Sequence, residues 1–215
     1  YDAEKDFDPV TQLTLYGYAL VVHPALPVKS VSEFVALAKA RPGQLAYGTS
    51  GNGGSNHLAG ESFRLASNIK LNAIPYKGSA PALTALLSGD VPVMFDTLIT
   101  SIPLVKAGRV RALGVTLPRR SSSMPDVPTI AEAGVPGYEV DVWYGLFVPQ
   151  ATPKPIVEKM ASEVTRIMRA ADNRERWSGV GVEPTGSTPA EFKVRYSAEL
   201  EKWKKVVTAM KLAPD

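Results

Sequence analysis

The sequence contains no cysteine, which excludes disulfide frameworks, thiolate metal sites and cysteine nucleophiles. Histidine is scarce, with only His23 and His57. No stretch approaches the roughly 20 consecutive apolar residues of a membrane-spanning helix. Neither sign of charge dominates, since 24 lysines and arginines against 21 acids leave a formal net charge of +3. The one local basic run, Arg109, Arg111, Arg119 and Arg120, is interrupted by apolar residues and argues against a nucleic-acid footprint. There is no internal repeat and no low-complexity tract. What remains is an ordinary globular composition, 45% hydrophobic and 21% charged over 215 residues, enough for one large domain or two small lobes. The chain begins at Tyr1 rather than methionine, so a processed chain or a fragment is expected.

Periodicity and punctuation give an alternating α/β pattern. Leu13 to His23 reads as a long strand ended by Pro24 and Pro27, and Ser30 to Glu33 is a capping box opening a helix. A short strand over Leu45 to Tyr47 feeds a glycine loop and a second helix. A strand at Leu71 to Ile74 leads to a helix capped by Ser79, with Pro81 in its first turn. Val91 to Phe95 is a strand ending in Asp96, Ser101 to Ala107 a short helix, and Val110 to Thr116 a further strand. The order predicts a parallel or mixed sheet with helices on its faces. Beyond Leu117 the chain turns proline-, glycine- and serine-rich, with a second capping box at Thr129 to Glu132 closed by Gly134. Val140 to Val148 is another long strand. Thr152 caps one later helix, Asp172 and Gly179 bracket a short one, and Thr188 to Glu191 opens the last. Two long strands flanking a compact α/β block suit a two-lobed chain with extended crossings, and equally the central strands of one sheet.

The glycine loop, YGTSGNGGSNHLAG over Tyr47 to Gly60, fails three familiar tests. A phosphate-binding loop of the Walker type needs lysine where Gly54 stands; a dinucleotide fingerprint needs glycine where Asn56 stands; a nucleophile elbow needs glycine where Asn52 stands. Backbone N–H groups, a helix N-terminus and the hydroxyls of Thr49, Ser50 and Ser55 could still hold an anion without any cation. A plain turn with Ser55 as helix cap is the competing reading. Asp96, at a strand's C-terminal end, can orient a ligand or cap the helix that starts at Thr97. Lys77 and Gly78 fall on the same edge, where Lys77 is an anion attractor or a surface lysine. His57 and Glu61 have i, i+4 metal spacing but lack a third ligand, and a bond from His57 into the glycine loop is the better expectation. Ser50 and His57 also permit a serine-hydrolase reading.

In order along the chain, PVTQLTLYGYALVVHPALP, YGTSGNGGSNHLAGE, IPYKGSAPALTALLSGDVPVMFD, IPLVKAGRVRALGVT, MPDVPTIAEAGVPGYE and the W-x-G-L-F-x-P of WYGLFVPQATP resemble the Bug/TctC-like proteins. These are extracytoplasmic solute-binding components of bacterial tripartite tricarboxylate transporters. The resemblance runs from about Asp6 to Lys204 and implies a type II-like periplasmic-binding-protein fold of two α/β lobes joined by crossing strands. It implies a periplasmic protein that captures a small carboxylate, a di- or tricarboxylate or related organic acid, and delivers it to membrane permease subunits. No catalysis, cofactor, metal or nucleic acid is implied. The family's cleft loop corresponds to Thr49, Ser50, Gly51, Asn52, Gly53, Gly54 and Ser55, followed by His57. Its next edge loop corresponds to Tyr76, Lys77, Gly78 and Ser79, and its acid to Asp96. The aromatics Tyr16, Tyr18, Trp143 and Tyr144 could select a ligand, although packing is the commoner role for each.

One departure accompanies the resemblance: the family's leading strand and first glycine-rich loop, of the P-A-G-G-G-T-D kind, do not occur here. The resemblance therefore sets residues 17–139 as the second lobe, and residues 1–16 with 140–215 as an incomplete first lobe. Exposed sheet edge there would favour a homodimer, and half a carboxylate clamp would bind weakly. A truncated, non-transporting sensor or remnant is the alternative on that reading.

Overall fold

The computed structural model of the chain describes residues 2–210; Tyr1 and residues 211–215, at the ends of the expected first lobe, lie outside the described residues. The chain divides into a continuous unit, Gly17–Asp141, and a discontinuous one made of Tyr1–Tyr16 and Val142–Asp215. One boundary falls inside strand β1 (Phe7–Val22).

The continuous unit alternates strands and helices after β1. They are α1 (Val31–Ala40), β2 (Ala46–Thr49), α2 (Ser55–Ser67), β3 (Asn72–Pro75), α3 (Ser79–Ser88), β4 (Val93–Thr97), α4 (Leu98–Lys106) and β5 (Arg111–Val115). The strand order is β3-β2-β4-β1-β5. β2 lies parallel to β3 and β4, whereas β1 runs antiparallel to β4 and to β5, so the sheet is mixed. Tyr18 to Val22 and Val93 to Asp96 are buried at every position, as strands covered on both faces require. Phe63 of α2 is the centre of the aromatic packing, with ring centroids of Phe34, Phe95 and Tyr138 at 6.0, 5.6 and 5.6 Å. Helix α2 reaches β2 because Gly60 has no side chain: a Cβ there would stand 2.3 Å from the Tyr47 ring.

In the discontinuous unit, β6 (Asp141–Pro149) and β7 (Val182–Pro184) pair with β1, β7 antiparallel through Thr14 to Tyr16. Helices α5 (Lys154–Arg169), α6 (Ala171–Ser178) and α7 (Pro189–Met210) complete it. Val10, Val148, Val157 and Ala161 form a small core, with Leu146 and Met160 against it. Phe192 of α7 is fully buried, its ring 5.3 Å from Trp143 and 5.1 Å from Phe147, in space that Gly145 leaves open.

Several local expectations change. β1 begins at Phe7, six residues before the apolar run, because pairing rather than composition carries its polar first half. Ser79 and Ser55 are not caps: each is the first helical residue, and Gly78 and Gly54 hold the cap positions. Gly78 does so at φ 108°, a conformation open to glycine and strained for other residues. Thr152 turns its hydroxyl back to the Pro149 carbonyl, leaving Pro153 as the cap of α5. Thr129 and Glu132 form the reciprocal bonds of a capping box, yet only a turn follows, since Gly134 at φ 119° stops it at once.

Candidate functional site

The parallel strands β2, β3 and β4 end on one edge of the continuous unit, at Thr49, Pro75 and Thr97. That edge is where parallel α/β sheets present ligand-binding loops. The glycine loop and the Tyr76–Ser79 loop are tied together there: the Tyr76 N–H donates to the Thr49 carbonyl at 2.9 Å and the Gly78 N–H to the Ser50 carbonyl at 3.1 Å. Gly51 stands at φ 135° and Gly53 at φ 72°, which favours glycine at both positions.

Much of the glycine loop's donor capacity is spent within the loop. The Ser50 N–H and hydroxyl both donate to Asn56 Oδ1, at 3.1 and 2.8 Å. The Gly53 N–H donates to His57 Nδ1 at 3.0 Å, and the Gly54 N–H to the Gly51 carbonyl at 3.3 Å. Intrahelical bonding in α2 begins with the Leu58 N–H on the Gly54 carbonyl. The N–H groups of Ser55, Asn56 and His57 thus occupy the helix's first turn, which intrahelical bonding leaves without acceptors.

Neither α2 nor α3 has a side-chain cap, and neither carries an acid in its first turn. Two helix N-termini, each with a partial positive charge of about half a unit, therefore begin on neighbouring loops with nothing of their own to neutralise them. His57 is buried at 6% exposure, and burial pushes its imidazole below the usual histidine range. Lys77 is exposed.

A profile of the TctC family, described as "Tripartite tricarboxylate transporter family receptor", matches residues 1–212. The chain belongs to this family. It is 35% identical over 213 residues to a protein encoded in the tcbD–tcbE intergenic region of a Pseudomonas species, covering 99% of this chain and 63% of that one. Among solved structures, an R. palustris protein with adipate superposes with a TM-score of 0.88 at 37% identity, covering all of this chain and 72% of that one. MatC from Rhodopseudomonas palustris with bound malate superposes with a TM-score of 0.82 at 31% identity, covering 96% of this chain and 71% of that one. The chain spans about three fifths of the length of three of the curated relatives it matches, with shares of 63%, 61% and 64%. The mixed α/β architecture is that of the TctC-family structures.

Within this TctC-family chain, the structure brings Thr49 to Ser55, His57 and Tyr76 to Ser79 onto one edge. Asp96, next to last in β4, lies on the same edge but is buried at 2% exposure, where its Oδ2 accepts from Thr100 at 2.6 Å and Ser101 at 2.9 Å. Burial raises its carboxyl above the ordinary aspartate value. Its visible work is to brace the start of α4. Ser50 and His57 are bonded elsewhere than to each other: Ser50 donates to Asn56, and His57 Nδ1 accepts from Gly53. Glu61 is taken by the Tyr47 hydroxyl at 2.9 Å and Arg64 at 2.7 Å, and no metal-holding cluster of three His, Asp or Glu occurs among the described residues.

Two residues outside the expected loop positions complete the edge: Asn56, and Tyr18, which the sequence offered only as a ligand-selecting or packing aromatic. Asn56, 4% exposed, staples the loop, and it lies with Ala59, Gly60, Phe63 and Ser67 on the buried face of α2. A polar side chain at i, where i+3, i+4 and i+7 are core positions, was the available signal. The other is Tyr18 of β1, 3% exposed, whose hydroxyl donates to Ser55 Oγ at 2.7 Å.

Proposed function

We propose that this chain supplies the carboxylate-capturing site of an extracytoplasmic solute receptor, binding a small di- or tricarboxylate or related organic acid without turning it over. The observation that carries the reading is the pair of uncapped, acid-free helix starts at α2 and α3, on loops that two backbone hydrogen bonds hold side by side. An anion there accepts from first-turn N–H groups and from the hydroxyls of Ser55 and Ser79, with no buried cation needing compensation. Lys77, exposed on the second loop, adds long-range attraction for an anion.

Family membership supports a receptor that serves a tripartite transporter, with membrane permease subunits as its partners and the periplasm as its place of action. No described helix is long and apolar enough to cross a membrane. The adipate and malate held by two similar structures make linear dicarboxylates the first ligands to try. Isothermal titration calorimetry against adipate, malate, citrate and acidic amino acids tests the reading. Saturable one-to-one binding of a carboxylate, abolished for its amide or ester analogue, is expected. Equal heats for acid and amide, or turnover of an ester lost in Ser50→Ala, would overturn it.

A further inference from the structure

We infer that Tyr18 is a positioning residue for the site, acting through Ser55 by committing its hydroxyl hydrogen to the ligand. The inference rests on the carboxylate reading above and deepens it.

A serine hydroxyl has one hydrogen and two acceptor positions, and left alone it rotates to suit whatever is nearby. Here the Tyr18 phenol donates to Ser55 Oγ at 2.7 Å, a short O–H···O bond. That bond uses an acceptor position and leaves the serine hydrogen free to be given away. It also polarises the serine O–H, because successive hydrogen bonds in a chain strengthen one another in a low-dielectric setting. Ser55 is exposed while Tyr18 is buried, so the outer end of the two-hydroxyl chain is the one a ligand can reach. Ser55 is also the first residue of α2, where its hydroxyl stands beside the helix's open N–H groups. A carboxylate meets a donor already oriented, and the entropy of fixing that rotor is settled before binding.

The inner end of the chain is firmly placed. The Tyr18 N–H donates to Thr116 Oγ1 at 2.9 Å, and the Thr116 N–H donates to the Tyr18 carbonyl at 2.9 Å. Thr116 in turn bonds to Val140 through its hydroxyl, and the Val140 N–H returns to the Thr116 carbonyl at 2.9 Å. Both ends of the continuous unit are thereby knotted at Thr116, two residues or fewer from where the chain leaves it. At Gly17 even a methyl group would sit 2.5 Å from Leu117, so the backbone beneath Tyr18 has little room to shift. The phenol is therefore a fixed donor, and Ser55 takes its orientation from it.

A double-mutant cycle read by calorimetry, with adipate and malate as probes, tests the assignment. Tyr18→Phe keeps the ring and removes the hydroxyl, and is expected to weaken binding about 5- to 10-fold. Ser55→Ala is expected to weaken it by at least as much, and the Tyr18→Phe, Ser55→Ala double variant no further than Ser55→Ala alone. Ser55→Thr, which restores a hydroxyl, recovers most of the affinity where Tyr18 is retained and less when combined with Tyr18→Phe. A purely structural role for Tyr18 predicts the opposite pattern, with additive losses and no dependence on residue 55. Additive losses, or unchanged affinity in Tyr18→Phe, overturn the inference while leaving the carboxylate reading intact. If the unaltered chain binds neither acid nor any other carboxylate of the panel, the carboxylate reading falls, and this inference with it.

Discussion

Helices α1 and α2 belong to the same unit and begin in opposite ways. At α1, Ser30 accepts from the Glu33 N–H at 3.1 Å, and Glu33 reaches back to the Lys29 N–H. A closer form, in which the glutamate takes the cap residue's own N–H, occurs at α7 between Thr188 and Glu191, and at the turn between Thr129 and Glu132. In each, a glutamate stands three residues after the capping hydroxyl, and at α1 and α7 it brings a negative charge to a positive helix end. At α2 that third position is His57, and at α3 it is Pro81; both helices start from a glycine with no side-chain cap. Helices α4 and α5 also start without a side-chain cap or a first-turn acid; what sets α2 and α3 apart is that both open starts follow a glycine on loops that backbone hydrogen bonds tie together. Capping is worth about 1 kcal/mol per helix, so an open start is a standing cost that a bound anion can offset.

Closing an open start should have the largest effect. Ser79→Asp puts a carboxylate in the first turn of α3, where two like charges about 4 Å apart repel by roughly 4 kcal/mol at an effective dielectric near 20. Carboxylate affinity should fall by about two to three orders of magnitude at about 1.4 kcal/mol per decade. Thermal stability should hold or rise by about 0.3–1 kcal/mol, as expected for an acid at a helix N-terminus. Calorimetry and thermal denaturation on one sample separate the two signs; unchanged affinity would remove α3 from the site.

Loosening the loop that feeds α2 should cost less. Asn56→Ala strips the Ser50 N–H and hydroxyl of their shared acceptor, leaving part-buried donors without it. A loss of about 1–3 kcal/mol in denaturant-measured stability is expected, with affinity falling about tenfold as the loop loses its shape. Opening a closed start supplies the contrast. Ser30→Ala at α1 should lose about 1 kcal/mol of stability, yet leave carboxylate affinity unchanged within about twofold, because nothing binds there.

What could be read from the sequence was what lies within four residues. The capping boxes at Ser30 and Thr188 and the bond between His57 and the glycine loop are contacts of three or four residues, and residue type plus spacing defines them. The alternation of strands and helices was legible for the same reason. Strand order was not, because the antiparallel insertion of β1 between β4 and β5 depends on contacts roughly 70 to 95 residues away. The Tyr18 bond to Ser55 spans 37 residues, and the ties from Tyr76 and Gly78 into the glycine loop are backbone bonds that no side chain announces. The cap was misread at Ser79, and wrongly offered at Ser55 as the competing reading, because a serine before an apolar run looks the same at the cap as at the next position. The backbone decides: Gly78 takes the cap of α3 at φ 108°, whereas Gly54 takes that of α2 in an ordinary extended conformation.

The smallest expected effect concerns His57, the residue that fills the glutamate position of the closed starts. Its imidazole is held below the ordinary value of 6.5 by burial, with Glu61 acting weakly in the other direction. The unfolded chain therefore binds more protons than the folded one in the window just below pH 6.5. Stability contributed by neutral His57 is complete above that pH and declines as the pH falls toward the folded value, with a slope of at most about 1.4 kcal/mol per pH unit for one proton. Protonation at Nδ1 would also remove the acceptor that holds the Gly53 N–H, so the loop loosens over the same range. Asp96, raised by burial above 3.8, contributes with the opposite sign, so the comparison must be made against a variant. Denaturant midpoints of the unaltered chain and His57→Gln, measured from pH 7.5 to 5, should converge as the pH falls. Parallel curves would mean that His57 stays neutral throughout. The difference between α1 and α2 would then lie in the missing cap and acid, with no titrating group in their place.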